Sequence, residues 1–287
     1  MQKDSLGDRM KRYEKVSKYY LMRRNPVIMR IDGKSFHTFT RGFKRPFDDV
    51  LRKSMQETMK YLCENIQGCV FGYTQSDEIT LILTDYATLT TDAWFGYSVQ
   101  KMCSIAASMA TMAFNKFFSN NVQDFLYDCC YDEESDNFGD EVVSGREEDY
   151  NVYGKTYMRV SHTAIFDARV FSLPKEEVCN CLIWRQQDAI RNSIQLVGQT
   201  YFSHKSLNRK TCKDIKEMLF KKYNIAWDDL PIEYKRGSCC FKVEEKRDYN
   251  VIGTKVLDTI TTVRNKWIID KEPPDFVKNR EYIERWI

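Results

Sequence analysis

What most constrains the fold of this chain is the order in which its apolar runs change period. Val27 to Ile31 (VIMRI) is a short apolar run that stops at Asp32-Gly33, the pattern of a buried strand ending at a turn. Pro46 opens a stretch in which Val50, Met55, Met59 and Leu62 recur at helical spacing, and proline suits a first helical turn. Cys69 to Tyr73 and Ile79 to Leu83 are β-rich and are joined by Thr74-Gln75-Ser76-Asp77-Glu78, which predicts a hairpin with a polar tip. From Asp92 to about Phe118, residues such as Val99, Met102, Ala106, Met109 and Ala113 step by three and four, as in a long amphipathic helix. Ala164 to Phe171 reads as a further strand, and Pro174 leads into a helix through about Gln199 whose apolar face carries Val178, Leu182, Trp184, Ile190 and Ile194. Trp184 is expected to be a core anchor. Strand, helix, strand, strand, helix, strand implies an α+β fold: a ferredoxin-like βαββαβ core, with helices over one face of an antiparallel sheet.

Additional C-terminal elements complete the predicted layout, with helices near Lys210 to Tyr223 and near Leu257 to Asp270 and a strand at Ser238 to Val243. The division expected is a catalytic domain over 1–199, with 118–155 an acidic insertion or lid, and an accessory region over 200–287 packed on it. Between Asp124 and Asp149 there are eleven acidic residues and one basic, Arg146, a net of −10, so the rest of the chain carries +13 of the overall +3. A basic body suits a polyanionic ligand, because neutralised phosphates release counterions. The ten cysteines lack the paired spacing of closed zinc sites and are read as reduced thiols. No apolar run approaches the roughly 20 residues of a membrane span, and the reading is an intracellular, cytoplasmic protein.

If the first strand pairs with the hairpin, Asp32 meets Asp77 and Glu78 at one edge of the sheet, although they lie far apart in sequence. Carboxylate oxygens suit Mg²⁺, which takes one or two of them and completes its shell with water and phosphate. Two such ions would activate a hydroxyl and neutralise a leaving pyrophosphate. Gly33 allows close backbone approach, and Lys34 and Arg45 add positive charge. There is no Walker A motif and no GxGxxG element.

RIDGKSFHTF around Asp32, FKRP at Phe43 to Pro46, GYTQSDE at Gly72 to Glu78, FDAR at Phe166 to Arg169 and WRQQD at Trp184 to Asp188 resemble, in order, the motifs of the tRNA-His guanylyltransferase superfamily. The resemblance spans roughly residues 25 to 243 apart from the acidic insertion. It implies a polymerase-type palm and 3′–5′ nucleotide addition to tRNA, with Mg²⁺, in two ions, as cofactor and ATP or GTP and other NTPs as substrates. By the same resemblance, Asp32, the Gly33 carbonyl and Asp77 hold metal, and Glu78 is the neighbouring acid. Lys34, Ser35, Phe36 and His37 wrap the triphosphate, Ser76 and Arg45 serve the activation step, and Lys101 lies near the triphosphate. Arg45 stands where the family usually has lysine, which keeps the charge but grips phosphate differently.

After WRQQD, the enzymes dedicated to tRNA-His carry a His-Ile-Asn-Asn-Leu-Tyr type of run, whereas this chain reads Ala189-Ile190-Arg191-Asn192-Ser193-Ile194, with Asn192 retained and Ile190 at the His position. That points to the guanylyltransferase-like branch and to template-dependent repair of tRNA 5′ ends, with strict guanosine addition to tRNA-His as the alternative. RNA contacts are expected from Arg185, Arg191, Asn192, Lys205, Arg209 and Lys210, supported by Lys213, Lys235 and Arg236. The resemblance also implies a homo-oligomer, a tetramer. The rivals are a nucleotide cyclase, disfavoured by the absence of a GG(D/E)EF-type hairpin, and a non-catalytic RNA-binding protein, disfavoured by the presence of both aspartates.

Overall fold

Both faces of the first strand are apolar, and that dictates the layering. Val27, Met29 and Ile31 point one way and Ile28 the other, and all four are fully buried, so each face needs a cover. The computed structural model describes residues 5–132, 137–138, 149–252 and 257–287, with side chains for all but 131–132, 137–138, 247–252 and 257–261. The chain runs through α1 (Leu6–Val16), β1 (Val27–Gly33), α2 (Phe36–Phe39), α3 (Asp49–Asn65), β2 (Cys69–Gln75), β3 (Glu78–Leu83) and α4 (Val99–Cys130). There follow β4 (Tyr131–Asp132), β5 (Asn137–Phe138), α5 (Lys155–Val160), β6 (Phe166–Ser172), α6 (Lys175–Tyr201), α7 (His204–Leu207), α8 (Cys212–Tyr223), α9 (Ile232–Arg236), β7 (Ser238–Ile252), β8 (Leu257–Asp270) and α10 (Glu281–Glu284).

Six strands form one antiparallel sheet in the order β6-β1-β3-β2-β7-β8. Val27, Met29 and Ile31 pack with Met55, Met59 and Leu62 of α3 and Met102, Ala106 and Phe114 of α4. Ile28, Phe71 and Ile82 pack on the opposite face with Val178 and Leu182 of α6 and Ile283 of α10. Helices therefore cover both faces, not the single face expected. A third cluster joins Ile194 and Val197 of α6 to Ile215 and Leu219 of α8 and to Trp227. Among the described residues no helix is long and apolar enough to cross a membrane.

Local chemistry accounts for the other departures. The helix expected from Asp92 begins at Val99, because Phe95, Gly96 and Tyr97 all have positive φ and break any helix there. It continues to Cys130 and so carries Asp124 and Asp128, the first acids of the predicted lid; residues 133–136 and 139–148 of that stretch lie outside the described residues. The helix expected after Pro46 starts at Asp49 and is capped by Asp48, whose carboxylate accepts from Leu51 N at 2.9 Å. The segment Leu257 to Asp270, expected as a helix, is a strand paired with β7 from Cys239↔Asp270 to Ile252↔Leu257. Its Thr259-Ile260-Thr261-Thr262-Val263 run is β-branched throughout, which disfavours helix and suits a sheet.

Candidate active site

β1 delivers Asp32 to the sheet edge beside two other carboxylates: it pairs with Glu78 on β3 and with Asp167 on β6. Asp77 sits in the two-residue turn between β2 and β3, and its backbone carbonyl accepts from Gly33 N at 3.1 Å, so the loops bearing Asp32 and Asp77 are joined directly. Ser76 Oγ donates to Asp77 Oδ1 at 3.1 Å. Burial, followed by the nearby charges of Asp32 and Glu78, pushes the Asp77 carboxyl up to about 6. Asp32 is raised as well, by burial and then by Glu78 and Asp167, with Arg169 at 3.9 Å acting against the rise. Two partly buried acids whose neighbouring charges oppose ionisation are donors that suit a hard divalent cation, and among the described residues no group of three or more His, Cys, Asp or Glu side chains gathers as a metal centre.

The backbone here is strained at two non-glycine positions. Ser35 has φ +56° and Ser76 has φ +50°, and residues held in this region cluster at functional sites. Gly33, two residues before Ser35, is required by packing, since a Cβ there would lie 2.3 Å from the Phe36 ring. Phe36 is itself locked among Phe39, Phe114 and Phe166, with ring centroids 4.9, 5.5 and 5.1 Å away.

A cavity of about 520 Å³ opens beside this edge, within the range of small-molecule sites. Gly33, Ser35, Phe36, His37, Arg45, Ser76, Asp77 and Asn192 of the predicted set line it, with Lys44 adding a second exposed cation near Arg45. Asp32, Glu78, Lys34 and Lys101 do not; Lys101 Nζ instead lies 5.9 Å from the Phe95 ring. Lys205, Arg209 and Lys210 are exposed around α7 and the start of α8, away from the cavity lining, and Arg191 is exposed with an ion pair to Asp188.

Several predicted roles meet a different geometry. Arg185 is not an open phosphate contact: its side chain is 5% exposed and bonded to Glu78 at 2.9 Å. Glu78 is taken up by Arg185 and by Arg30 at 3.1 Å. Lys235 is buried, with its ammonium on the Asp228 carbonyl and near the Trp227 ring. Trp184 is 51% exposed rather than a core anchor, with the Arg30 and Arg185 guanidinium groups near its ring; Val178, Leu182 and Ile194 of the same helix are buried.

The far wall of the cavity was not legible in the sequence. Arg52 of α3 pairs with Glu233 of α9, Gln56 donates to the same carboxylate at 2.8 Å, and Phe47 stacks on Tyr234 at 4.5 Å. The partners are some 180 positions apart, and no local pattern links them. Asp48, which also accepts from Tyr157 and from Lys44 N, did leave a signal, since Asp before an apolar helical run marks a cap.

Comparison with known proteins agrees with this geometry. Residues 7–174 match the family model described as tRNAHis guanylyltransferase. A bacterial tRNA(His) guanylyltransferase-like protein solved in complex with ATP is 37% identical, with a TM-score of 0.75 and 99% of each chain covered; another structure of such a protein, with GTP, is 36% identical with a TM-score of 0.71 and 99% of each chain covered. A probable tRNA(His) guanylyltransferase of Dictyostelium discoideum is 24% identical over 273 residues, covering 88% of this chain and 91% of that protein. The family match spans more than half of the chain and includes the carboxylate edge, so this protein belongs to the tRNAHis guanylyltransferase family and is a nucleotidyltransferase.

Proposed function

We propose that the protein adds nucleotides in the 3′–5′ direction to the 5′ end of tRNA, in a template-dependent repair reaction that follows NTP activation of the 5′ phosphate. The observation that carries this reading is the direct join between the end of the Asp32 strand and the Asp77 turn, with Gly33 and Asp77 lining a cavity flanked by Lys44 and Arg45. The strand order β6-β1-β3-β2 supports a ferredoxin-like palm as the catalytic core, over 1–199, with 200–287 as its accessory region. The ATP and GTP complexes of bacterial relatives support a nucleoside triphosphate as the occupant.

In the activation step, an oxygen of the RNA 5′ phosphate attacks the α-phosphorus of ATP and pyrophosphate leaves. In the addition step, the 3′-hydroxyl of the incoming NTP attacks the activated 5′ phosphorus and AMP leaves. Asp32, the Gly33 carbonyl and Asp77 are the residues that would hold Mg²⁺, which supplies charge neutralisation and a more acidic hydroxyl. Arg45 and Lys44 offset the triphosphate charge, His37 contacts the nucleotide, and the left-handed Ser35 and Ser76 fix the loops that carry these groups. Exposed Arg191, Lys205, Arg209 and Lys210 contact tRNA phosphates, leaving base pairing to select the nucleotide.

Strict guanosine addition to tRNA-His is the second reading, favoured by the names of the curated relatives. Likeness to a guanylyltransferase-like structure, 37% identical over 99% of the chain, together with the departure of Ala189 to Ile194 from the run of the tRNA-His enzymes, favours the guanylyltransferase-like branch and with it repair. The deciding experiment offers 5′-monophosphorylated tRNA lacking its first nucleotide, with ATP, NTPs and Mg²⁺, and resolves products by size. Extension whose base follows the opposing nucleotide supports repair; guanosine added regardless of template supports the second reading. Absence of extension removes both and leaves an RNA-binding protein, and full extension by Asp77→Ala removes Asp77 from the catalytic assignment.

A further inference from the structure

Glu78 directly follows Asp77, yet its carboxylate is turned away from the cavity lining and held by two guanidinium groups. Arg185 Nη1 lies 2.9 Å from Oε2 and 3.3 Å from Oε1, and Arg30 Nη2 lies 3.1 Å from Oε1. Gln75, its cross-strand partner, adds a contact at 3.3 Å. Glu78 is 19% exposed and Arg185 only 5%, and the Nε atoms of both arginines are buried without a hydrogen-bond partner. A guanidinium desolvated to this degree needs its carboxylate, and losing one member of such a pair leaves the other charge uncompensated. Arg185 is further held by Asp188 at 3.5 Å, within α6.

The consequence is mechanical. Arg185 belongs to α6, the helix that also supplies Asn192 and Ser193 to the cavity wall, while Glu78 opens β3 immediately after the turn that carries Asp77. The pair is the ion bridge that ties the hairpin tip to α6.

We propose that Arg185 is a positioning residue: by gripping Glu78 it fixes the Ser76–Asp77 turn so that the Asp77 carboxylate is presented to a divalent cation. This rests on the metal role of Asp32 and Asp77 proposed above. It assigns Arg185 and Glu78 to alignment of the cation site, not to RNA contact or direct ligation.

Coulomb's law gives the opposite expectation from the clamp, which makes the test sharp. Removing a positive charge near a cation site would by itself tighten cation binding, whereas releasing the turn weakens it. Mn²⁺ binding, followed by the EPR signal of the free ion, is measured for wild type, Arg185→Met, Arg185→Lys and Asp77→Asn, alongside tRNA affinity as a function of salt. Arg185→Met is expected to weaken Mn²⁺ binding by about tenfold or more, the range seen when a group that orients a metal ligand is lost, with the tRNA salt slope unchanged. Arg185→Lys is expected to recover part of that loss, leaving a twofold to fivefold weakening. Unchanged or tighter Mn²⁺ binding in Arg185→Met overturns the clamp, as does intact Mn²⁺ binding with weakened tRNA affinity. If circular dichroism shows Arg185→Met unfolded, Arg185→Lys decides: a twofold to fivefold weakening supports the clamp and wild-type affinity overturns it. Equal Mn²⁺ binding by wild type and Asp77→Asn removes the metal reading itself, and this inference with it.

Discussion

Asp77→Asn should stabilise the folded protein at neutral pH while abolishing nucleotide addition. Burial and then the charges of Asp32 and Glu78 raise the Asp77 carboxyl from an ordinary 3.8 to about 6. Folding therefore favours the protonated form. The contribution of this group to stability is complete below pH 3.8, declines as the pH rises, and is lost once the pH passes about 6. At about 1.36 kcal/mol per pKa unit, the full shift corresponds to roughly 3 kcal/mol carried as a cost by the ionised site; partial exposure of Asp77 reduces that to about 1–2 kcal/mol. Asparagine keeps the shape and can still accept from Ser76, but never ionises. The expected gain in Tm is about 2–6 °C at pH 7.5 without divalent ions, and about half of it should disappear at pH 5. Differential scanning fluorimetry at both pH values, with and without Mg²⁺, measures this directly. Mg²⁺ should raise the Tm of wild type and not of the variant. A variant that is less stable than wild type at pH 7.5, or a gain independent of pH, would show that the carboxylate is not held in an unfavourable ionised state and would refute the electrostatic account of the site.

Gly33→Ala places a Cβ 2.3 Å from the Phe36 ring, and because that ring is wedged among three others the variant should lose about 1–3 kcal/mol in a urea titration together with its affinity for ATP. Asp48→Ala removes the α3 cap and strands Leu51 N, Lys44 N and the Tyr157 hydroxyl; chemical denaturation should show a loss of about 2–4 kcal/mol. The double variant Arg209→Ala, Lys210→Ala should weaken tRNA binding and lower the slope of log K against log salt by roughly 1–2, as measured by filter binding; an unchanged slope would take the start of α8 out of the RNA surface.

What the chain declares locally, and what only the fold assembles, separate cleanly here. β1, the β2–β3 hairpin, α6 and α8 were visible because each buries a stripe with its own period, and period is a property of neighbours along the chain. Asp32 and Asp77 were legible as a pair for the same reason: one ends a strand, the other tips a hairpin, and pairing those strands brings them together. The β8 segment misled because its apolar residues also fit a helical spacing, and the choice fell to β-branched side chains and a partner strand far back in sequence. Trp184 and Arg185 were misassigned because residue type says nothing about which partner a helix face will meet; the ion pair to Glu78 joins residues 107 positions apart. The same holds for Arg52 and Glu233 on the cavity's far wall. Strand and helix periods, and with them the carboxylate edge, were therefore written in the sequence itself, whereas the neutralisation of each buried charge was decided only when tertiary packing excluded water and obliged distant side chains to find one another.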